Sequence, residues 1–397
     1  HHVQIHAAAT NRDVEETGFD VPDKECPICG TMMKKDGVNI PFETFLGVEG
    51  GKPKEPDIDL NFSGEYQSRA HEKTKDLFGD DYTFKAGTVS TVAKETSYSY
   101  IKKYNKDNNI VSKDTDIEYQ KTGITDCKKS TGQHPGGMVV VPNDEYIYTF
   151  TPIQYPAKKE ENGKTTHFEY HEIEENLLKL DILGQDGPTF MKKLKDLTGV
   201  DPMEVPFYDE KVISLFKNLS SIGLSKSDIH GETLGCLSIP EFGTSATMKM
   251  CKEASPKSVA DLIRISGLAH GTDVWVGNIR DIVLKKIAPI DECVCCRDDI
   301  MIYLNERGIE NTLSFEIMES VRKGKRLKPE WEEKMRDKGV PEWYIECCNK
   351  IKYMFPKAHA AAYVTTSLRV GYYKIYYPIE YYTVFFSIKL LYSGGVR

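Results

Sequence analysis

Two stretches of the chain alternate apolar and polar residues with the period of a strand. In EPDIDLNF, residues 55–62, Ile58, Leu60 and Phe62 fall on one face and Asp57, Asp59 and Asn61 on the other, so a strand is expected from Pro56 to about Asn61. In LLKLDILG, Leu178, Leu180 and Ile182 share one face of a second buried strand, and Lys179 and Asp181 the other. A third apolar run, Met138 to Val141, follows STGQHPGG, whose glycines and proline read as a tight turn feeding a strand. Residues 65–130 read as polar helices, one of them starting near Thr88 and carrying Lys94, Lys102, Lys103 and Lys106. After Gly187 helical periodicity dominates, broken at DPMEVP, SIPEFG, GLAHGTDVW, KGKRLKP and MFPKAH. The expected organisation is a mixed strand and helix unit followed by a mostly helical one, with the seam near residue 190.

Bulk properties narrow the class. At 397 residues the chain exceeds one ordinary core, and 40% hydrophobic with 28% charged residues is a globular composition. A net charge of -8 gives no global sign of nucleic-acid binding, so any such surface must be local. No run of about 18 uncharged apolar residues is present; the tyrosine-rich end is interrupted by Arg369, Lys374, Pro378 and Glu380 and reads as buried helices, with no membrane partner expected. The ten cysteines, with adjacent pairs at Cys295–Cys296 and Cys347–Cys348, do not form a disulfide framework, which fits a reducing cytoplasm. Cys26-Pro-Ile-Cys29-Gly resembles one knuckle of a zinc ribbon, half of the four ligands such a site needs.

Asp57 and Asp59 place like charges side by side, a costly arrangement unless a cation sits between them, and magnesium suits paired carboxylate oxygens. Solvated acids at the start of a strand are the plainer reading of those residues taken alone. With Asp181 there are three carboxylates on two half-buried strands, enough for a two-metal site that activates an attacking oxygen and neutralises a phosphoryl group. No Ser/His/Asp or Cys/His nucleophile set is evident. In VRKGKRLK, Arg322, Lys323, Lys325 and Arg326 form either a solvated face or a surface for nucleic-acid phosphates.

The blocks PDIDLNFSGEYQ, TGQHPGGMVVVP, NLLKLDILG, IPEFGT, ISGLAHGTDVW, CRDDIMIYL, ESVRKGK, VPEWYI and IKYMFPKAHAAAYV, in that order, resemble the bacterial C-family replicative DNA polymerases, more narrowly the PolC-type polymerase III alpha subunits of Gram-positive bacteria. The resemblance implies an α+β fold: a nucleotidyltransferase-type (polymerase beta-like) palm with a helical thumb insertion and a large, mostly α-helical fingers domain. Residues 1–68 would hold the zinc-knuckle-like region and the first part of the palm, 69–130 the thumb-like insertion, 131–189 the second part of the palm and 190–397 the fingers.

The resemblance also implies roles. Asp57, Asp59 and Asp181 match the family's catalytic triad, holding two magnesium ions that act on the primer 3'-hydroxyl and the incoming dNTP. Lys179, His134, Gly136, Gly137, His270, Gly271, Thr272, Asp273, Lys357 and His359 would contact the nucleotide. Lys94, Lys102, Lys103 and Lys106 with Arg322, Lys323, Lys325 and Arg326 would grip primer-template DNA, and Cys26 and Cys29 would hold one structural zinc; the family's first CxxC is expected near residues 1–4, where His1, His2 and, close by, His6 stand either as substitute ligands or as residues foreign to the site. The sliding clamp and other replisome proteins would be partners. Ser245 and Met248 stand where the family's fingers arginines are expected, and no triphosphate-cradling glycine-serine loop precedes Cys26. A metal-dependent nuclease and an inactive DNA-binding fragment lacking that loop are the alternatives; a long fingers-like half argues against the nuclease.

Overall fold

The computed structural model describes residues 3–5, 17–48, 58–156 and 163–392. Asp57, His1, His2 and His6 lie outside the described residues. Contacts divide the chain into two compact units, Glu55–Thr189 and His1–Lys54 with Phe190–Arg397. The knuckle region thus shares a unit with the helical half, whereas the sequence grouped it with the first strand of the palm.

In the second of these units, β1 (Val3–Ile5) and β2 (Lys34–Asp36) pair in parallel. The other unit is built on a six-stranded mixed sheet. Its strands are β3 (Ile58–Ser63), β4 (Thr83–Thr91), β5 (Lys128–Val140), β6 (Ile153–Gln154), β7 (Thr165–Glu169) and β8 (Leu178–Gln185), in the order β3-β8-β5-β4-β7-β6. β8 runs parallel to β3 and antiparallel to β5, and β4 runs antiparallel to β5 and parallel to β7.

Phe84, Ala86, Val139, Val141, Ile147, Ile173 and Leu177 form the core of one face. Lys85 alternates with Phe84 and Ala86 and so points to the opposite face, where His71 of the helix Gln67–Phe78 meets it. The expected burial of Leu60 and Phe62 is not observed: they are 39% and 36% exposed, because β3 is an edge strand of the sheet.

The helix expected from Thr88 begins at Lys94, and Thr83–Thr91 is a central strand instead. Threonines and Val89 pack well on a pleated surface, and pairing with β5 and β7 on both sides outweighs their tolerance of helix. The helical insertion therefore reduces to a hairpin, Lys94–Asp107 and Asp114–Thr122, joining β4 to β5. Ser97, Ile101 and Asn105, four residues apart, form its buried stripe; Lys94, Lys102, Lys103 and Lys106 are all exposed.

The larger unit is helical around one extended core that includes Phe216, Leu262, Ile300, Ile317 and Tyr344. Its tyrosine-rich end forms two helices, Lys357–Tyr376 and Pro378–Tyr392, with Pro378 at the first helical position, where its missing N–H costs nothing. Tyr373 and Tyr381 are fully buried there. Among the described residues no helix is long and apolar enough to cross a membrane.

Candidate active site

Strand pairing brings the acids of the two alternating stretches together. Asp59 on β3 is the direct register partner of Asp181 on β8, and Gly137 on β5 is the partner of Asp181 on its other side. Paired residues on neighbouring strands share a face at the strand spacing of about 4.8 Å. Asp59 is exposed, and the Asp181 side chain is 16% exposed.

Two side chains flank the Asp181 carboxylate. Lys179, on the same face two residues earlier, places Nζ 2.9 Å from Oδ2 and also lies 4.8 Å from the Tyr170 ring centre. His134 Nδ1 is 3.6 Å from Oδ1. That Nδ1 accepts the backbone N–H of Gly137 at 2.6 Å and of Gly136 at 3.3 Å, so it carries no proton, and the neutral ring bears its hydrogen on Nε2. Burial lowers the His134 pKa, opposed by the Asp181 carboxylate. Asp181 Oδ1 is therefore buried with no hydrogen-bond partner. An orphaned carboxylate oxygen beside a second carboxylate fits a divalent cation with oxygen ligands.

The TGQHPGG segment is not a turn. It lies within β5, and its register against β4 jumps from Lys85↔Met138 to Gly87↔Gln133, so His134–Gly137 form a bulge. Gln67 ties this bulge to the next strand, its Nε2 donating to the carbonyls of Pro135 at 3.2 Å and Ile182 at 2.8 Å. A Cβ on Gly136 would lie 2.7 Å from Leu183 Cδ2 and 2.8 Å from the Ile182 carbonyl oxygen. The close approach that requires glycine here is to the neighbouring strand. Gly136→Ala is accordingly expected to destabilise the unit by about 1–3 kcal/mol, read as a lower urea midpoint.

On the opposite face Lys85 Nζ donates to His71 Nδ1 at 2.6 Å. Burial, and next the nearby Lys75 charge, lower Lys85 to about 8; burial and then the Lys85 charge lower His71. Below pH 8 Lys85 is charged in both folded and unfolded chains, and its desolvation cost is fully felt. Between about 8 and its unfolded value of 10.5 the folded chain releases the proton first, so this group's penalty is relieved as pH rises. Lys85→Met should therefore stabilise most near pH 7 and progressively less toward pH 10, measured as the difference in urea midpoint from wild type.

The helical unit gathers the other candidates. His270 Nε2 lies 2.8 Å from Glu241 Oε2, and the His270 ring packs against Phe355, His359 and Tyr363 at centroid distances of 5.3, 5.3 and 6.0 Å. Burial lowers the His359 pKa, and the His270 charge adds to this. Thr272 bridges to Tyr353, and Gly271 and Asp273 flank it. Asp273 has φ +56° and pairs with Lys352 at 2.6 Å; Glu241 has φ +67°.

Lys357 is placed differently from expectation. It is 1% exposed, with Nζ 2.9 Å from Asp299 Oδ1 and its backbone N–H donating to Asp298 Oδ2 at 2.6 Å. Its ammonium is paired with Asp299 in the interior. Arg322 pairs with Glu319 at 2.7 Å; Lys323, Lys325 and Arg326 are all exposed, Lys323 with its Nζ 3.3 Å from Glu319.

At the knuckle, Cys26 is buried and Cys29 exposed; hydrogen bonding from Thr31, chiefly its hydroxyl, lowers the Cys29 pKa, and Cys26 adds to this. Among the described residues no group of three or more His, Cys, Asp or Glu could hold a metal ion. Two thiols fit half of a zinc site.

Sequence reasoning missed Glu241, Asp298, Asp299 and the Lys85–His71 pair. A carboxylate in an irregular segment or at the start of a helix carries no periodic signal, so only CRDD, two acids opening a helix, offered a hint.

Residues 27–113 and 95–184 match a family model described as the bacterial DNA polymerase III alpha NTPase domain, and residues 187–340 one described as the bacterial DNA polymerase III alpha subunit finger domain. Proteins named DNA polymerase III PolC-type are similar to this chain along most of its length. That of Oceanobacillus iheyensis is 50% identical over 98% of this chain and 27% of its own length, and that of Bacillus subtilis 52% over 94% and 26%. That of Caldanaerobacter subterraneus is 51% identical over 94% and 26%. The chain thus spans about a quarter of the length of these curated relatives.

Proposed function

The chain belongs to the bacterial DNA polymerase III alpha-subunit family, and from that premise we propose that it is the core of a replicative DNA-templated DNA polymerase, joining dNTPs to a primer 3'-hydroxyl with release of pyrophosphate. The observation that carries this reading is the register pairing of Asp59 with Asp181, whose Oδ1 is buried without a partner.

In this reading unit Glu55–Thr189 is the nucleotidyltransferase-type palm, the hairpin over residues 94–122 the thumb, and residues 190–397 the fingers. Asp57, Asp59 and Asp181 would hold two magnesium ions. Bound there, magnesium supplies Lewis-acid activation of the primer hydroxyl and neutralises triphosphate charge.

The chain's own residues do the rest. Lys179 fixes the Asp181 carboxylate on the shared face and adds positive charge beside it. Neutral His134 carries its hydrogen on Nε2 while its Nδ1 holds the bulge. His270, Gly271, Thr272, Asp273 and His359 line the nucleotide side of the fingers. Exposed Lys94, Lys102, Lys103 and Lys106, with Lys325 and Arg326, meet DNA phosphates, contacts that salt weakens whatever the sequence. Cys26 and Cys29 contribute to a structural zinc, and the sliding clamp and other replisome proteins in the cytoplasm are the partners of the whole polymerase.

The test is equilibrium binding of a 3'-dideoxy primer-template at two salt concentrations, with and without the template-matched dNTP. Tightening by the matched dNTP alone is expected. Salt-dependent binding that no dNTP tightens would reduce the chain to a DNA-binding fragment.

A further inference from the structure

Tyr170 opens a short turn, Tyr170–Glu172, on the way from β7 to β8. Both parts of its side chain are anchored. The hydroxyl donates at 3.0 Å to the carbonyl of Leu177, the residue immediately before β8 and itself 1% exposed. The ring packs against the core that includes Phe84, Val139, Ile173 and Leu177. The segment between also closes on itself: the N–H of Ile173 donates to the Tyr170 carbonyl at 2.9 Å, and the N–H of Leu177 to the Ile173 carbonyl at 3.2 Å. The ring is thus tied to the entry of the strand that carries Lys179 and Asp181.

Lys179 has two neighbours that attract its charge. Its Nζ is 2.9 Å from Asp181 Oδ2 and 4.8 Å from the centre of the Tyr170 ring, over its face, and the side chain is 18% exposed. An ammonium within about 6 Å of an aromatic face is drawn to it by the ring quadrupole, the more so as water is excluded. The two attractions differ in what disturbs them. A divalent cation at Asp181 Oδ1 would repel an ammonium on Oδ2 of the same carboxylate, whereas the ring has no net charge to share and its hold on Lys179 remains. Without the ring, a flexible four-carbon stem would regain its rotamers.

We propose that Tyr170 is a positioning residue of the active site, its ring keeping the Lys179 ammonium beside Asp181 to meet the triphosphate of the incoming dNTP. In this role Tyr170 acts through Lys179 alone. The role rests on the polymerase reading and deepens it.

The test is the equilibrium affinity of the template-matched dNTP for the chain bound to a 3'-dideoxy primer-template, which needs no turnover. Wild type is compared with Tyr170→Phe, Tyr170→Leu, Lys179→Met and Tyr170→Leu/Lys179→Met, with melting curves as a check of folding. Tyr170→Leu is expected to weaken dNTP binding by about fivefold, the scale of one partly desolvated cation–π contact, and to leave affinity for the primer-template unchanged. Tyr170→Phe, which keeps the ring, should stay close to wild type. Once Lys179 is replaced by Met, Tyr170→Leu should cost nothing further, because the two residues act in series.

A spectroscopic readout is independent of the nucleotide. In chain labelled with carbon-13 at lysine Cε, the Lys179 signal, identified by its absence in Lys179→Met, should lie upfield of solvated lysines through the ring current. That shift should survive in Tyr170→Phe and vanish in Tyr170→Leu.

A fivefold loss that persists in the Lys179→Met background would be a packing effect and would overturn the role. An unchanged dNTP affinity in Tyr170→Leu, a Tyr170→Phe variant as weak as Tyr170→Leu, or an ordinary Lys179 shift in the wild type would overturn it as well. None of these results touches the polymerase reading. Failure of that reading shows in the wild type itself, as DNA binding that no dNTP tightens, and takes the Tyr170 role with it.

Discussion

Asp181→Ala lowers the single-turnover rate of nucleotide incorporation by at least about 10³-fold, the scale seen when a preorganised electrostatic group is removed from an active site, while affinity for primer-template stays close to wild type. The reasoning is local. Asp181 sits between register partners Asp59 and Gly137, with Oδ2 held by Lys179 and Oδ1 unpartnered, so its carboxylate is poised for a cation and does little for packing. Asp59→Ala should behave alike, because its side chain is exposed on an edge strand. Asp181→Asn, which keeps shape and removes charge, should lose nearly as much. Substantial incorporation by any of the three, in rapid-quench assays with saturating DNA and dNTP, would remove these carboxylates from the chemistry.

Lys357→Ala should act on stability, not on nucleotide affinity. Lys357 and Asp299 form a pair whose side chains are 1% and 13% exposed, and Asp298 beside them is 1% exposed. Removing one partner of a buried pair leaves the other charge uncompensated, at a cost of about 3–5 kcal/mol. The urea midpoint should fall accordingly. The double variant Lys357→Met/Asp299→Asn, which leaves no lone charge at that contact, should recover much of the loss. A variant with wild-type stability and a raised KM for dNTP would return Lys357 to the nucleotide site.

The sequence revealed most where one residue's neighbours along the chain determine its face. The alternation around Asp59 and Asp181 requires only a period of two, and Lys179 lies on the face of Asp181 for the same reason. The mixed strand and helix unit followed by helical character after Gly187 came from periodicity as well.

What stayed hidden depends on pairing across long separations. Thr83–Thr91 is a strand because β5 and β7 flank it, and neither partner is visible from the residues themselves. TGQHPGG has the composition of a turn, and only its register against two strands makes it a bulge. Lys357 reads as a cation near small alanines, yet Asp298 and Asp299, about sixty residues away, decide that it is buried. Asn278 carries no pattern at all, and one of the two carbonyls that hold its amide, that of Cys347, lies 69 residues away.

The most direct measurement is extension of a labelled primer-template by the purified chain with magnesium and all four dNTPs, beside Asp59→Ala. Template-matched extension by the wild type and none by the variant is the expected result. DNA binding without extension by either protein would contradict the claim that this chain carries a working polymerase site.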